Sequence, residues 1–498
     1  MTLSNKERYA IPRQDMPTQD AHERAANFEE VALGLTWEAA RLEAQRCIQC
    51  KNPHCVDGCP VGVRIPDVLL ALGDGDLAAA VDALTERNSL PAVCGRVCPQ
   101  ESQCEARCTL GAKHEPVAIG RLERFLGDHA LQQHIPPAAP LEHTGRRVAV
   151  VGSGPSGLTC AVDLAKLGHA VTIFESLHLP GGVLAYGIPE FRLPRSIITA
   201  EVRTAVEHLN IELRTDHVIG TTYTLVELRE DYDAVFLGTG AGLPAFMDIP
   251  GTNLNGVFSA NELLTRVNLM RGYAFPEYDT PVKAGERVAV IGAGNVAMDA
   301  ARSALRLQRL RAAAHPQTGP GEVHVVYRRS EAEVPARREE YTHAVEEGVV
   351  FDFLTNPVAV LGDGGRVTAL RCVRMELGEP DESGRRRPRA VAGSELDLVA
   401  DTVIFALGTS PNPLVFTGAA NLDRSRWGTV LADEATGRTH LEGVWAGGDV
   451  VTGAATVISA MGAGKAAAAD MHTFLLAHAP KGPSRLEASP GTVRSADA

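Results

Sequence analysis

Cysteine is the residue type whose positions in this sequence most clearly indicate chemistry. Ten cysteines occur among 498 residues, and eight of them fall between Cys47 and Cys108. The spacing is Cys-x2-Cys-x4-Cys-x3-Cys in the first half of this block and Cys-x3-Cys-x5-Cys-x3-Cys in the second, with proline directly after Cys59 and Cys98. Thiolates at such spacings are ligands for soft metals and iron–sulfur clusters.

The spacing favours iron–sulfur clusters over the other sites that cysteines form. Zinc sites usually combine CxxC pairs, or one such pair with histidines, whereas most spacings here are longer. Two-cluster ferredoxins use a similar run, in which the cysteine before proline binds the other cluster. We therefore expect two [4Fe–4S] clusters, and structural zinc and unliganded thiols remain as alternatives.

A glycine-rich motif follows the cysteine block in a setting typical of dinucleotide binding. A short apolar run at residues 147–151 leads into GSGPSG, and a helical stretch and a second apolar run follow. In such a βαβ unit the glycines allow a tight turn and a close approach of pyrophosphate to the helix N-terminus. Glu175 ends the second strand, where a carboxylate accepts hydrogen bonds from a ribose diol. The candidate ligand-binding residues are Gly152, Gly154, Pro155, Ser156, Gly157 and Glu175.

The same motif occurs a second time, with a different residue type after its second strand. The run at residues 287–291 leads into GAGNVA, which gives the candidates Gly292, Gly294, Asn295, Val296 and Ala297. Where the first unit has Glu175, the second has Arg328 and Arg329. A carboxylate repels a 2′-phosphate, whereas a guanidinium binds it. We therefore expect NADP(H) at the second motif and a non-phosphorylated dinucleotide at the first, unless both arginines are solvated surface groups.

Three later segments fit a protein with one bound flavin and one exchanging nicotinamide. DAVFLGTGA at 233–241 and DTVIFALGTS at 401–410 are similar apolar strands that end in glycine turns, and they could cross between the nucleotide domains. GVWAGGDV at 443–450 precedes a predicted helix at 455–476. Asp449 could bind a ribityl hydroxyl, and the helix N-terminus near Thr456 could stabilise a reduced flavin. Gly240 and Gly448 lie in these turns and are further candidates.

Composition excludes several classes of function. A net charge of −13 and 5% aromatic residues disfavour nucleic-acid binding. The polar first fifteen residues do not form a secretory signal, and no apolar run of about 18 residues predicts a membrane helix. We therefore expect a cytoplasmic protein. Cys160 and Cys372 are isolated, so the nucleotide domains contain no CxxC pair for a thioredoxin-reductase-like activity.

Over residues 25–475 the chain resembles the glutamate synthase small-subunit family of FAD- and NAD(P)-dependent iron–sulfur reductases. The resemblance rests on VGSGPSGL, GAGNVAMD, GGVLAYGIPEFRLP (181–194) and YRRSEAEVPARR (327–338). It implies FAD at the first motif, where Gly182 joins the candidates, and NADPH at the second. The expected fold class is α/β, with two Rossmann-like domains and an N-terminal helical iron–sulfur domain.

The resemblance also implies a domain order and a set of cluster ligands. We expect a cluster domain at 1–142, an FAD domain at 143–283 and 401–480, an NADPH domain inserted at 284–400, and a disordered tail at 481–498. One cluster is expected on Cys47, Cys50, Cys55 and Cys108. The other is expected on Cys59, Cys98, Cys104 and Glu123, the last in IGRLERF at 119–125. Cys94 is then a bystander, although spacing alone does not decide between Cys94 and Glu123.

Together these parts predict an electron relay. NADPH gives up two electrons as hydride, whereas iron–sulfur clusters accept one electron at a time. A flavin connects the two because it can hold one or two electrons. Because this chemistry belongs to the cofactors, we expect no catalytic acid, base or nucleophile. The resemblance implies a hetero-oligomer with a glutamate synthase large subunit that makes glutamate from glutamine and 2-oxoglutarate. Two alternatives remain: the large subunit of NADH-dependent ferredoxin:NADP oxidoreductase, with ferredoxin or a small flavin/[2Fe–2S] subunit, and a non-catalytic zinc scaffold.

Overall fold

The N-terminal region of the protein is built from helices joined by short loops. The computed structural model describes residues 3–382, 384–419 and 421–482. The helices are α1 (Asn5–Ala10), α2 (Ala21–Arg24), α3 (Trp37–Ala44), α4 (His54–Asp57), α5 (Ile65–Asp74), α6 (Leu77–Thr85), α7 (Pro91–Val97) and α8 (Ile119–Gln132). Thr36 caps α3, because its hydroxyl accepts a hydrogen bond from the N–H of Ala39.

A first α/β unit begins after residues 133–146, which form no helix or strand. Its elements are β1 (Arg147–Val151), α9 (Pro155–Lys166), β2 (Ala170–Phe174), α10 (Val183–Tyr186), α11 (Arg195–His208), β3 (Glu212–Arg214), α12 (Leu225–Asp231), β4 (Ala234–Leu237) and β5 (Leu243–Pro244). The first glycine motif therefore lies between a strand and a helix, which is the setting that dinucleotide binding requires.

A second α/β unit contains the second glycine motif and a group of antiparallel strands. Its elements are β6 (Val257–Ser259), α13 (Ala260–Leu264), β7 (Arg287–Ile291), α14 (Asn295–Ala314), β8 (Glu322–Tyr327), α15 (Arg338–Glu347), β9 (Val350–Phe353), β10 (Thr355–Asp363), β11 (Arg366–Pro380), β12 (Arg386–Ala390), β13 (Leu396–Val399) and β14 (Thr402–Phe405). The chain ends its described part with β15 (Thr409–Ser410), β16 (Val444–Ala446), α16 (Asp449–Thr452) and α17 (Val457–Ala477).

Two parallel five-stranded sheets form the centres of the two α/β units. The first has the order β16-β4-β1-β2-β3 and the second the order β6-β14-β7-β8-β9. In both sheets the strand before the glycine motif pairs with the strand after the following helix. Ligands of such open sheets bind outside the carboxyl ends of the strands, where both glycine motifs lie.

Two strands that lie outside the expected inserted domain belong to its sheet. The sequence places the inserted domain at 284–400, yet β6 and β14, which lie outside this range, both pair within the second sheet. The glycine motif identifies only the strand that leads into it. Strands that complete a sheet from either side carry no comparable signal, and for that reason the expected boundaries at 283/284 and 400/401 are wrong for these two strands.

Two short strands carry the chain between the two α/β units. β5 follows β4 of the first sheet, β15 follows β14 of the second, and they pair antiparallel. The two segments predicted to cross between domains, 233–241 and 401–410, thus first contribute the sheet strands β4 and β14. The chain then passes between the units at β5 and β15. Most of the expected tail at 481–498 lies outside the described residues.

The N-terminal helices share a hydrophobic core with the first α/β unit. Leu72 and Leu122 of the helices belong to the same buried cluster as Val150, Ile173 and Met461. The cysteine block is therefore packed against the first sheet and α17. Within the described residues, no helix is long and apolar enough to cross a membrane.

Candidate functional site

The clustered cysteines form two groups in space. Cys47, Cys50, Cys55 and Cys108 line one small cavity whose other walls are mainly apolar. Burial, and then the charges of the other three thiols, raise the pKa of Cys55 to about 12. Because an iron–sulfur cluster is held by thiolates in a largely dry site, this donor set fits such a cluster.

The second group contains three thiols and one carboxylate. Burial raises the pKa of the Cys59 thiol, and the neighbouring charges of Glu123 and Cys98 raise it further. Burial also raises the pKa of Cys104, with contributions from Glu123, Cys98 and Cys59. The two groups coincide with the ligand sets implied by the resemblance, and the assignment of each ligand stays a prediction.

Glu123 lies in the first turns of α8 and has one hydrogen-bond partner in the described residues. Its Oε1 accepts a hydrogen bond of 2.7 Å from Nδ2 of Asn88. Burial raises the pKa of Glu123 to about 7, although the bond from Asn88 opposes this shift. The second oxygen, Oε2, is therefore available to an electropositive ligand.

Cys94 is close to the second group, but its thiol packs against protein. The residue is fully buried on α7, one turn before Cys98. Its Sγ lies 3.4 Å from the Met461 sulfur and 3.7 Å from Oδ1 of Asn88. The Cys94 thiol also has a side-chain hydrogen bond with Cys98, and its role as a bystander stays a prediction.

The second cysteine group lies directly against the start of α17. A Cβ built on Gly462 of α17 would stand 2.8 Å from the carbonyl oxygen of Pro60, which follows Cys59. Gln103, which precedes Cys104, donates a 3.5 Å hydrogen bond to the hydroxyl of Thr456. Since Thr456 is the predicted flavin contact, the second group is the one adjacent to the first nucleotide site.

The first glycine motif has the geometry that a pyrophosphate requires. Gly152 has a φ of +97°, and a Cβ on it would lie 2.5 Å from the Gly238 carbonyl oxygen. A Cβ on Gly157 would lie 1.9 Å from the oxygen of Gly152, so helix and strand pack closely there. By contrast, a Cβ on Gly154 would meet no atom within 4 Å, and no side chain caps α9, which begins at Pro155. The open helix N-terminus fits an anion.

Other predicted glycines close around the same turn. A Cβ on Gly182 would stand 2.9 Å from Cα of Gly154, and one on Gly448 would stand 2.9 Å from Oγ of Ser156. Gly240 has a φ of +65° and faces open space. These backbone approaches explain why segments far apart in sequence are glycine-rich here.

Glu175 points back to the glycine motif from the end of β2. Its Oε2 accepts hydrogen bonds from the N–H of Ser153 at 2.9 Å and from the hydroxyl of Ser153 at 2.5 Å. Its Oε1 accepts a 2.9 Å bond from the N–H of Leu177. The carboxylate is therefore fixed beside the turn, in the place expected for contact with a ribose diol.

Polar groups from three segments line the remaining part of this site. Burial raises the pKa of Asp449 to about 6, and its Oδ1 lies 3.3 Å from the N–H of Ala455, which donates to it. Thr456 caps α17 by accepting a bond from the N–H of Ser459. The hydroxyl of Thr239 is buried and has no partner among the described residues. An orphaned hydroxyl beside the Gly152 turn fits a site built for a polar ligand.

The second glycine motif repeats the first in its essential geometry. Gly292 has a φ of +120°, and a Cβ on it would lie 2.4 Å from the carbonyl oxygen of Ala406. A Cβ on Gly294 would meet no atom within 4 Å, and α14 has no side-chain cap. Ala297, in place of the third glycine, is fully buried against the sheet. This turn also fits a pyrophosphate.

The other two predicted residues of this motif are placed differently. Val296 is exposed, at 42%. Asn295 directs its Oδ1 to the backbone N–H of Arg337, which donates a 2.8 Å hydrogen bond. The guanidinium of Arg337 in turn donates to the carbonyl of Arg96 and to the side chain of Gln100 in the cysteine block. The second nucleotide site and the cysteine block are thus connected by one side chain.

The two adjacent arginines after β8 have different environments. Arg329 is 5% exposed, and its Nη2 forms a 2.7 Å ion pair with Asp381. Its Nε donates to the carbonyl of Arg386. Arg328 is exposed, and the structure gives it no hydrogen bond or ion pair within the described residues. Of the two candidates for a 2′-phosphate, Arg328 is the one whose guanidinium is accessible.

Several site residues have no signal in the sequence. Asn88, Thr239 and Gln103 are common polar residues outside any motif, and only the folded chain brings them to the cysteines or to the glycine turns. The contact between Pro60 and Gly462 joins positions about 400 residues apart. An alignment that paired these positions could have identified them, whereas spacing within one sequence could not.

Comparisons with family models divide the chain in the same way as the structure. Residues 24–135 match the dihydropyrimidine dehydrogenase domain II family, which is described by its 4Fe-4S cluster. Residues 146–464 match the pyridine nucleotide-disulphide oxidoreductase family. The first match contradicts the alternative of a zinc scaffold.

Curated relatives are similar over nearly the whole chain. The small chain of NADPH-dependent glutamate synthase from Halomonas elongata is 36% identical over 93% of this chain and 97% of its own length. The beta subunit of NADP(+)-dependent formate dehydrogenase from Moorella thermoacetica is 38% identical over 84% of this chain. This chain spans only 60% of that longer relative.

A solved structure of Mycobacterium tuberculosis FprA in complex with NADPH has the same fold in the nucleotide-binding part. It aligns with a TM-score of 0.54 at 24% identity, over 67% of this chain and 84% of FprA. The matches together confirm the α/β fold class and the expected FAD, NADPH and iron–sulfur cofactors, while the number of clusters stays a prediction. The chain belongs to the glutamate synthase small-chain family of NADPH-dependent, FAD-containing iron–sulfur oxidoreductases.

Proposed function

We propose that this chain is the NADPH-oxidising subunit of a glutamate synthase. In this proposal its electrons pass to a large subunit that makes glutamate from glutamine and 2-oxoglutarate. The observation that carries the proposal is the position of the second cysteine group, which lies against α17 at the first nucleotide site through Pro60 and Gln103. A small chain from Halomonas elongata of nearly equal length supports the choice of partner.

Each nucleotide would be held mainly by backbone turns. Gly152, Gly154 and the start of α9 would bind the FAD pyrophosphate, with Glu175 on the ribose and Asp449 and Thr456 at the flavin end. Gly294 and the start of α14 would bind the NADPH pyrophosphate. The remaining proposed contacts are Pro155, Ser156, Gly157, Gly182, Gly240, Gly448, Gly292, Asn295, Val296, Ala297, Arg328 and Arg329.

The cysteine block would hold two clusters in series. Cys59, Cys98, Cys104 and Glu123 would hold the cluster next to α17. Cys47, Cys50, Cys55 and Cys108 would hold the second, farther from the flavin helix, and the partner would dock near it. When bound, FAD converts the two-electron transfer from NADPH into the single-electron transfers that clusters accept.

The chain's own residues position groups and exclude water rather than react. The buried turn around Gly152 and Gly448 would keep the flavin in one orientation, and the start of α17 would favour negative charge on it. The apolar wall of the first cysteine cavity would keep solvent from its cluster. We further propose a cytoplasmic location and a helical cluster domain that ends before residue 143.

The decisive experiment combines the purified holoenzyme with the large subunit of glutamate synthase from the same organism. We expect the chain alone to reduce a dye with NADPH and to form no glutamate. Adding the large subunit, glutamine and 2-oxoglutarate should give NADPH oxidation and glutamate formation in a 1:2 ratio. Glutamine-dependent glutamate formation by the chain alone would contradict the proposed division of labour.

The Moorella relative supports a second candidate partner. Its name assigns it to an NADP(+)-dependent formate dehydrogenase, and on that ground we infer that a chain of this type can also pass electrons to a partner other than a glutamate synthase large subunit. The same assay distinguishes the two candidates. Dye reduction without glutamate formation in the presence of the large subunit, together with rapid reduction of ferredoxin or of a small flavin/[2Fe–2S] subunit, would favour the ferredoxin:NADP oxidoreductase type.

A further inference from the structure

Asn88 is a fully buried amide between α6 and α7, and it is held from two sides. Its Oδ1 accepts a 2.9 Å hydrogen bond from the N–H of Leu90, and its own N–H donates to the carbonyl of Leu84. Its Nδ2 donates a 2.7 Å hydrogen bond to Oε1 of Glu123. The bond to Leu90 fixes which end of the amide is the acceptor, so the NH₂ group must face Glu123.

This arrangement restricts how Glu123 can bind a ligand. A free carboxylate can coordinate through either oxygen or through both. Here Oε1 is already an acceptor for Asn88, whereas Oε2 accepts no hydrogen bond from the residues that the structure describes. The Oδ1 of the same Asn88 lies 3.7 Å from the thiol of Cys94, one turn before Cys98, so Glu123 is held beside the second cysteine group.

We propose that Asn88 is the positioning residue for the second iron–sulfur cluster: it holds Oε1 of Glu123 and so presents Oε2 alone to the iron. This inference rests on the proposed role of Glu123 as a ligand. Hydrogen bonds to the outer side of a ligand fix its orientation and tune the metal. A donor to a carboxylate stabilises negative charge, so Asn88 would also raise the reduction potential of this cluster.

The test uses the anaerobically purified holoenzyme of the wild type and of N88A. Iron and FAD content, the EPR spectrum of the reduced protein and the midpoint potential of each cluster would be measured. We expect N88A to keep its FAD, to alter the EPR signal of one cluster and to lower the potential of that cluster. N356A removes a partly buried asparagine amide from β10, far from the cysteines in sequence, and should change none of these readouts.

A double variant separates positioning from simple packing. Because Asn88 also accepts the Leu90 N–H, N88A could alter the protein by loosening α7 alone. In the E123C background the carboxylate is absent, so N88A should no longer shift the potential if it acts through Glu123. An equal shift in both backgrounds, or no shift in the wild-type background, would overturn the proposal.

The outcome also distinguishes this inference from the proposed function. If E123C leaves iron content and the EPR spectrum as in the wild type, Glu123 is not a ligand, and the role of Asn88 is overturned with it. If instead the chain delivers electrons to a partner other than glutamate synthase, the cluster spectra and the effect of N88A are unchanged.

Discussion

Arg328 and Arg329 are neighbours in sequence, yet their side chains have different tasks. Arg329 is buried and paired with Asp381, which ties the end of β8 to the loop before β12. The guanidinium of Arg329 is therefore already paired with a carboxylate and is not available to a 2′-phosphate. Arg328 is exposed at the carboxyl end of the same strand, where the adenosine part of a dinucleotide lies in this type of fold.

We predict that R328A selectively weakens the use of NADPH. Hydrogen bonds to a charged group contribute about 1.5–3 kcal/mol, so the KM for NADPH should rise at least about tenfold. The KM for NADH should change little, because NADH lacks the 2′-phosphate. Steady-state dye reduction with both nucleotides measures the difference. R387A, an exposed arginine on β12, serves as the control, and an equal loss with NADH and NADPH in R328A would contradict the prediction.

At the scale of elements, α17 joins the two halves of the relay. Its Gly464 packs on Ser156 at the first glycine motif, where a Cβ would stand 2.2 Å from the Ser156 carbonyl oxygen. Half a turn earlier, Gly462 packs on Pro60 in the cysteine block. One helix therefore sets the separation between the flavin site and the second cysteine group.

We predict that G462V slows electron transfer from the flavin to the clusters. Its Cβ would meet backbone atoms of Pro60 at 2.8 Å, which cannot move as a side-chain end could, so the cluster domain must shift outward. Electron transfer falls steeply with distance, so cluster reduction should slow severalfold while NADPH reduces the flavin normally. Anaerobic stopped-flow at flavin and cluster wavelengths separates the two steps. A469V adds the same side chain at an exposed position of α17, and slowing in both variants would refute the argument.

The sequence predicts those elements whose determinants are local. GSGPSG and GAGNVA identify two strand–turn–helix units because the backbone conformation of the turn itself requires glycine. The positive φ values of Gly152 and Gly292 show this. The cysteine spacing likewise points to the clusters. Contacts between distant segments, such as Asn88 with Glu123, have no periodicity or spacing that a single sequence reveals. The pairing of β6 and β14 within the second sheet has no local signal either.

At the scale of the whole molecule, a buried network of ion pairs joins three separate parts of the chain. Glu347 on α15 is fully buried and bonded to Arg302 and Arg306 of α14. Arg24 of the N-terminal region forms a 3.0 Å ion pair with the same carboxylate. The cluster region and the second α/β unit are therefore linked directly through Glu347.

The first α/β unit joins this network through Arg192. Its guanidinium forms ion pairs of 2.7 Å with Asp299 and 2.9 Å with Glu340. Burial alone would raise the pKa of Glu340, but Arg192 and Arg302 outweigh it and lower that pKa to about 2. The arginines thus favour the ionised form of Glu340, and the network fixes the second nucleotide unit against the rest of the protein.

We predict that E347Q destabilises the protein strongly, because it leaves the guanidinium of Arg306 buried without its carboxylate and removes one of the two carboxylates that pair with Arg302. Removing one partner of a buried pair costs about 3–5 kcal/mol. The matched control is E346Q, because Glu346 also pairs with Arg24 but is 47% exposed. An exposed pair contributes only about 0–1 kcal/mol. Urea midpoints of the holoenzyme at pH 7 should therefore fall much further in E347Q than in E346Q.

The deficit of E347Q should also depend on pH with a defined sign. Burial opposes ionisation of Glu347, but Arg302 and Arg306 outweigh it and hold its pKa well below the ordinary 4.5. A lowered pKa in the folded state means that the carboxylate stabilises the protein above pH 4.5, and that this contribution is lost progressively as the pH falls below that value. The difference between wild type and E347Q should accordingly stay large from pH 7 down to about pH 4.5 and shrink progressively below that value, since glutamine does not titrate. A difference that does not shrink as the pH falls from 4.5 to about 3 would show that the loss comes from packing rather than from the charge of Glu347.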